Sequence, residues 1–165
     1  MSEQALYAAL ETRGLTWTVH EHEAVFTVEE SAALHRQIAG VHSKNLFLKD
    51  AGGQYWLVSA PHDARIDLKA LPAVIGARKL SFGKADDMER LLGVTPGAVT
   101  PLAAFNDKEG AVRVVLDRRL ADAPCVNVHP LRNTATMSLS GADLQAFLAD
   151  HAHPALVADL PSPDA

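Results

Sequence analysis

The sequence predicts a mixed α/β domain in which a curved, barrel-like and mostly antiparallel sheet is surrounded by helices. Three observations predict it. Helical and strand-like periodicities interleave along the chain. The strand-like runs are joined mainly by hairpin signals, which argues against a doubly wound sheet. With 165 residues, 48% hydrophobic and 21% charged, the chain can bury one sizeable core. No internal repeat or linker divides it, so residues 1–153 read as one domain. Residues 154–165, with three prolines and little to bury, read as a loose C-terminal tail.

Each element has its own signal. Ser2 caps a first helix that carries Leu6, Ala9 and Leu10 on one side and stops at Gly14. Trp17–His20 alternates as a strand. Thr27, with Glu30 three residues on, opens a second helix that ends before Gly40. Asn45–Lys49 and Tyr55–Ser59 are strands around the turn Asp50-Ala51-Gly52-Gly53. A helix from Asp67 to about Ile75 is shortened or bent by Pro72. Lys79–Phe82 is a short strand. Asp86 with Glu89 is a second capping box, for a helix ending at Gly93. A strand is expected at Ala98–Leu102, then a turn at Asn106–Gly110. Further strands follow at Val112–Leu116, Cys125–Val128 and Thr134–Leu139. Ser140 and Asp143 cap a last helix through Leu144, Phe147 and Leu148.

Composition narrows the function. No apolar run approaches the roughly 18 residues of a membrane span. The acidic opening Met1-Ser2-Glu3-Gln4 is unlike a secretory leader, so a cytoplasmic protein is expected. One cysteine, Cys125, rules out an intrachain disulfide and reads as a small core residue. The net charge of −5 argues against a non-specific nucleic-acid binder. Between positions 65 and 84, however, five basic residues (Arg65, Lys69, Arg78, Lys79, Lys84) face Asp67 alone. That segment is either a solvated surface or a local face for a phosphate backbone.

The chain lacks a Walker loop, a nucleophile elbow and the zinc-protease and dinucleotide-binding motifs. His20 and His22 are two apart on a strand and could share a metal, but no third ligand is spaced nearby, and no metal or other cofactor is expected. Three stretches stand out. Gly93–Leu102 holds two glycines and two prolines in ten uncharged residues. It is either a rigid connector or a small-walled pocket lined by backbone, with φ > 0 open to Gly97. Lys44, between Ser43 and Asn45, stands where a loop becomes an apolar strand. It either snorkels to water or aims a charge into the mouth of the sheet. His129 ends a strand before Pro130, which restricts it to extended geometry. It is either a satisfied structural histidine or part of a site.

Together these stretches resemble a known family. They are His20–Thr27, Gly40–Asp50, Gly93–Leu102 and Asn127–Asn133. The sequence is similar to the bacterial YbaK-type aminoacyl-tRNA deacylases, relatives of the insertion domain of prolyl-tRNA synthetase. Within them it resembles the branch that clears alanine from mischarged proline tRNA. The resemblance implies a barrel-like mixed sheet and hydrolysis of the ester between an amino acid and the terminal ribose. It carries the family's functional lysine to Lys44 with Asn45 beside it, its Gly-x-x-x-Pro loop to Gly97, Ala98, Val99, Thr100 and Pro101, and its histidine to His129. It implies mischarged tRNA(Pro) as partner, with transient contact to prolyl-tRNA synthetase or an elongation factor, and no membrane. Elementary chemistry agrees, because an aminoacyl ester is reactive enough to need only positioned water and a stabilised oxyanion. Three alternatives stay open: another small amino acid such as Cys or Ser, a non-catalytic tRNA- or synthetase-binding module, and a metal-dependent hydrolase using His20 and His22.

Overall fold

The computed structural model describes residues 2–24 and 28–163. Ser2 Oγ accepts from Ala5 N at 3.2 Å and caps α1 (Glu3–Arg13), which Gly14 ends in the left-handed region at φ 75°. Leu6 and Leu10, one turn apart, are fully buried. Each such burial contributes about 1.5–3 kcal/mol. Then follow β1 (Trp17–Glu21), α2 (Val28–Gln37), β2 (Val41–Asp50), β3 (Tyr55–Pro61), α3 (Leu71–Ile75), β4 (Leu80–Phe82) and α4 (Ala85–Leu92). Two 3₁₀ turns, Pro96–Ala98 and Pro101–Asn106, lead to β5 (Val112–Asp117), α5 (Arg118–Ala121), β6 (Val126–Val128), β7 (Ala135–Leu139), α6 (Gly141–Asp150) and β8 (Leu156–Ala158).

The eight strands make one mixed sheet in the order β1-β7-β6-β2-β3-β5-β8, with β4 also on β2. Four pairings are antiparallel and three parallel. β2 is the hub: it pairs with β3, β4 and β6. Its side chains alternate between two layers, as strand geometry requires. Phe47 enters an apolar cluster with Leu57 of β3 and with Met88 and Leu92 of α4. Leu48 enters another with Trp56 and Val58 of β3 and with Leu71 and Ile75 of α3. The largest cluster joins α1, α6, the second 3₁₀ turn and strands β5 to β7.

Several expectations are corrected. Ala98–Leu102 is not a strand. Pro96 and Pro101 each sit at the start of a 3₁₀ turn, where a fixed φ and a missing N–H cost nothing. Thr100 Oγ accepts from Leu102 N and caps the second turn. Asp86 is not an N-cap: Lys84 holds that place without a side-chain bond, and Asp86 and Asp87 lie in the first turn, where their charge suits the helix dipole. Asp67 opens a turn rather than a helix, its Oδ1 accepting from Lys69 N and Ala70 N. Cys125 precedes β6 and is half-buried. The segment after His153 is held rather than loose through Pro161. β8 pairs with β5, and Pro161 O accepts from Asp67 N at 2.8 Å. Thr27 lies outside the described residues. Among the described residues no helix is long and apolar enough to cross a membrane.

Candidate active site

Alternation along β2 separates its two candidate residues. Lys44 points to the layer of Leu48, where Nζ donates to Ala64 O. Asn45 points the other way: Nδ2 donates to Val99 O at 3.1 Å, and Oδ1 accepts from Ser59 Oγ at 2.6 Å. Both ends of the Asn45 amide are therefore spent inside the protein, and they pin the glycine–proline loop to the sheet. Lys44 is held by the turn that follows β3, where His62 N donates to His42 O and Ala64 N to Pro61 O.

The parallel pairing of β2 with β6 places His129. Val41 lies opposite Val126 and His42 opposite Asn127. Two residues further on come Lys44 in β2 and His129, just past the end of β6; His129 lines the same cavity as His42 and Asn127, and Lys44 shares the side of His42. Asn127 organises this junction. It is 3% exposed, its Nδ2 donates to Ala39 O at 3.0 Å, its Oδ1 accepts from Ser138 Oγ, and its backbone oxygen accepts from Ser43 Oγ at 2.7 Å. His129 Nδ1–H donates to Ala135 O at 3.1 Å. Burial depresses the pKa of His129; the Ala135 bond opposes this, and nearby His22 adds to it. A neutral ring with Nδ1 as donor leaves Nε2 as an acceptor. His129, His35, His42, Ser43, Asn127 and Thr136 line a cavity of about 210 Å³.

The third stretch is brought to the segment of His129, and to the face of β2 opposite Lys44. A Cβ placed on Gly97 would lie 3.4 Å from Asn133 Nδ2, so the loop touches the segment that begins at His129. Within that segment Leu131 adopts a left-handed φ of 71° and packs on the core. Gly97 is exposed and lies outside the left-handed region, contrary to the option left open above. Thr100 and Pro101 are buried supports, Ala98 is buried, and Val99 is half-buried. Ala98 N–H donates to Thr95 O at 2.9 Å and is not a bare donor.

Two groups complete the picture. Three histidines that no sequence signal singled out pack together: the His35 ring stacks on His42 at 4.1 Å and meets His62 edge-on at 4.3 Å. Only the tertiary fold brings position 62 to position 42, through the β2–β3 hairpin. Burial first, then His42 and His62, lower the pKa of His35 to about 4. His42 is also lowered, chiefly by burial. No three His, Cys, Asp or Glu side chains among the described residues are placed to hold a metal. His22 is bonded to Thr136 Oγ1 and to Glu23 O. Of the basic residues, Arg65 directly follows Ala64, the acceptor of Lys44, and the others lie elsewhere. Arg78 N donates to Asp50 Oδ2 and Lys79 O accepts from Ala51 N, at the far end of β2. Lys84 caps α4, and Arg65 and Lys69 precede α3.

Comparisons with known proteins show what the chain is similar to. A model described as "Aminoacyl-tRNA editing domain" matches residues 22–147. The chain is 42% identical over 148 residues to "Prolyl-tRNA editing protein ProX" of Acetoanaerobium sticklandii, covering 89% of this chain and 90% of that protein. It is 39% identical over 166 residues to "Prolyl-tRNA synthetase associated domain-containing protein 1" of Bos taurus, with 95% and 96% covered. The fold matches the crystal structure of "hypothetical protein APE2540" with a TM-score of 0.75 at 25% identity, covering 96% of this chain and 99% of that one.

Proposed function

Because the chain belongs to the aminoacyl-tRNA editing domain family, we propose that it is a trans-editing deacylase that hydrolyses mischarged tRNA(Pro), Ala-tRNA(Pro) first among its substrates. The supporting observation is the β2–β6 register, which brings Lys44 and His129 to neighbouring strand ends on one side of the sheet, while Asn45 ties the glycine–proline loop to the other face of β2. Water adds to the ester carbonyl, the tetrahedral intermediate collapses, the bond to the ribose oxygen breaks, and that oxygen takes up a proton as alanine leaves. The Lys44 ammonium holds the terminal phosphate or ribose, or the oxygen on which charge develops. Neutral His129 orients the substrate through Nε2, its tautomer set by Ala135 O. Ala98, Val99 and Leu131 form small apolar walls that exclude by size. Mischarged tRNA(Pro) is the partner, and passing contact with prolyl-tRNA synthetase or an elongation factor would serve the same traffic.

The test is single-turnover deacylation of Ala-, Ser-, Cys-, Thr- and Pro-charged tRNA(Pro). Overpacking a rigid wall costs about 1–3 kcal/mol, so proline is expected to be spared. An apolar pocket rejects an added hydroxyl by only about 10², so serine should react slowly but measurably. Cleavage of Pro-tRNA(Pro) as fast as Ala-tRNA(Pro) would remove the proofreading assignment.

A further inference from the structure

Arg113 lies opposite Trp56 in the parallel β3–β5 pair. Its neighbours Val112 and Val114 turn into the inner clusters, so alternation puts Arg113 on the opposite side of the sheet, with Val115, Trp56 and Leu48. That is also the side to which Lys44 points. The guanidinium carbon stands 5.6 Å from the Trp56 ring centroid. Two neighbouring clefts, of about 360 and 280 Å³, share Trp56 and Arg113 as walls. The smaller forms a groove lined also by Arg78, while Ile75 and Leu156 line the larger.

The carboxylate in this groove is already satisfied. Asp50 accepts from Gly52 N and Gln54 N on one oxygen and from Trp56 Nε1 and Arg78 N on the other. These four bonds take up the lone pairs of a carboxylate. Among the described residues no ion pair involves the side chain of Arg78 or Arg113. Two guanidiniums thus outnumber the one carboxylate in the groove, and its lone pairs are taken by other donors, a pattern that suits an external anion with several acceptor oxygens.

We infer that the Arg78–Trp56–Arg113 groove binds the sugar-phosphate backbone of the tRNA acceptor end. The choice of RNA rests on the deacylase reading. The spacing supports it. Lys44 pairs with Ala60 and Arg113 with Trp56, four residues apart on β3. At about 3.3 Å per residue along the strand and about 4.8 Å between strands, the two Cα atoms stand roughly 16 Å apart. Stacked nucleotides advance by about 3.4 Å each, so roughly five span that distance. With the ester at Lys44, the phosphates that reach the groove lie where the single-stranded 3′ end meets the acceptor helix. Sequence reading pointed to Arg78 but missed Arg113, an isolated arginine within an apolar strand.

The experiment compares the parent with Arg78→Gln, Arg113→Gln and the double variant. Binding of uncharged tRNA(Pro) is followed by fluorescence anisotropy across a salt series. Each substitution should weaken binding several-fold and reduce the slope of log K against log [salt] by about 0.7–0.9. Alanine-charged full-length tRNA should lose kcat/KM in proportion, while an alanine-charged CCA trinucleotide, too short to reach the groove, should react at the parent rate. Arg78→Gln, at an exposed position, carries the test should Arg113→Gln fail to fold. Unchanged affinity and slope would overturn the inference, as would equal losses on the trinucleotide. Binding is read on uncharged tRNA, so a parent that hydrolyses no ester but shows these losses would refute the deacylase reading and leave the groove standing.

Discussion

His42 stands opposite Asn127 in the parallel β2–β6 pair, with Asn127 Nδ2 3.3 Å from His42 Nε2. Nε2–H of His42 donates to Ile38 O at 2.8 Å, and Asn127 Nδ2 donates to Ala39 O, so both side chains tie the end of α2 to the strand junction. Each also lies two residues before a candidate catalytic residue. This one register relates Lys44 to His129 across 85 positions of sequence.

Asn127→Ala should therefore damage both stability and activity. It removes the bonds to Ala39 O and Ser138 Oγ inside a buried site. Leaving such partners unpaired costs about 1–3 kcal/mol, or roughly 2–12 °C in Tm for a chain of this size. Thermal melting reads the first effect and single-turnover deacylation the second. A variant with parent Tm and parent rate would show that the junction does not position His129.

Lys44→Ala should lower kcat/KM by about 10–100-fold through loss of a charge-assisted contact. Lys44→Arg should rescue only in part, because a planar fork does not replace a compact ammonium held near Ala64 O. Near-parent turnover by a folded Lys44→Ala protein would exclude Lys44 from the chemistry.

Gly97→Val separates function from folding. A Cβ there meets only Asn133 Nδ2 at 3.4 Å, an ordinary contact, and no left-handed φ is required. The variant should melt like the parent yet lose about 10²-fold in rate if the loop faces the substrate. Gly141→Ala is the contrast: its Cβ would fall 2.2 Å from Leu120 O, a backbone atom, and that variant should fold poorly. A Gly97→Val protein working at the parent rate would reduce the loop to a connector.

Stability should fall with acid in a window set by His35. Burial, with His42 and His62 close by, lowers its folded pKa from 6.5 to about 4. Between these values the unfolded chain holds the proton and the folded chain does not, so stability rises with pH there. The contribution is complete above about pH 6.5 and is lost as pH drops toward 4. Circular-dichroism melts from pH 4 to 8 should show this slope in the parent and a shallower one in His35→Gln. Superimposable profiles would mean that other groups carry the acid sensitivity.

Much of this was legible from local signals. Ser2 with Gly14, the Asp50–Gly53 turn and Ser140 with Asp143 each act within a few residues, and the structure keeps them all. The Gly93–Leu102 stretch was legible as rigid but not as helical. A proline fixes φ, and the same φ serves a strand edge or a 3₁₀ turn. What decides between them is where Thr100 and Leu102 are buried, which no local pattern states.

By itself the sequence determined the mixed α/β class, the helices other than the short α5 and most strands, and it singled out Lys44, Gly97 and His129 through a family resemblance. The elements depend on period, capping and composition, all of which act over one or two turns. Only the tertiary structure decided which of these residues meet. Parallel pairing of β2 with β6, and of β3 with β5, joins segments about 85 and 57 residues apart. Such pairings rest on burying whole sheet faces rather than on any local preference. The same long-range packing turned Asn45 inward to hold Val99, gathered His35, His42 and His62, and set Arg113 beside Trp56 on the side to which Lys44 points.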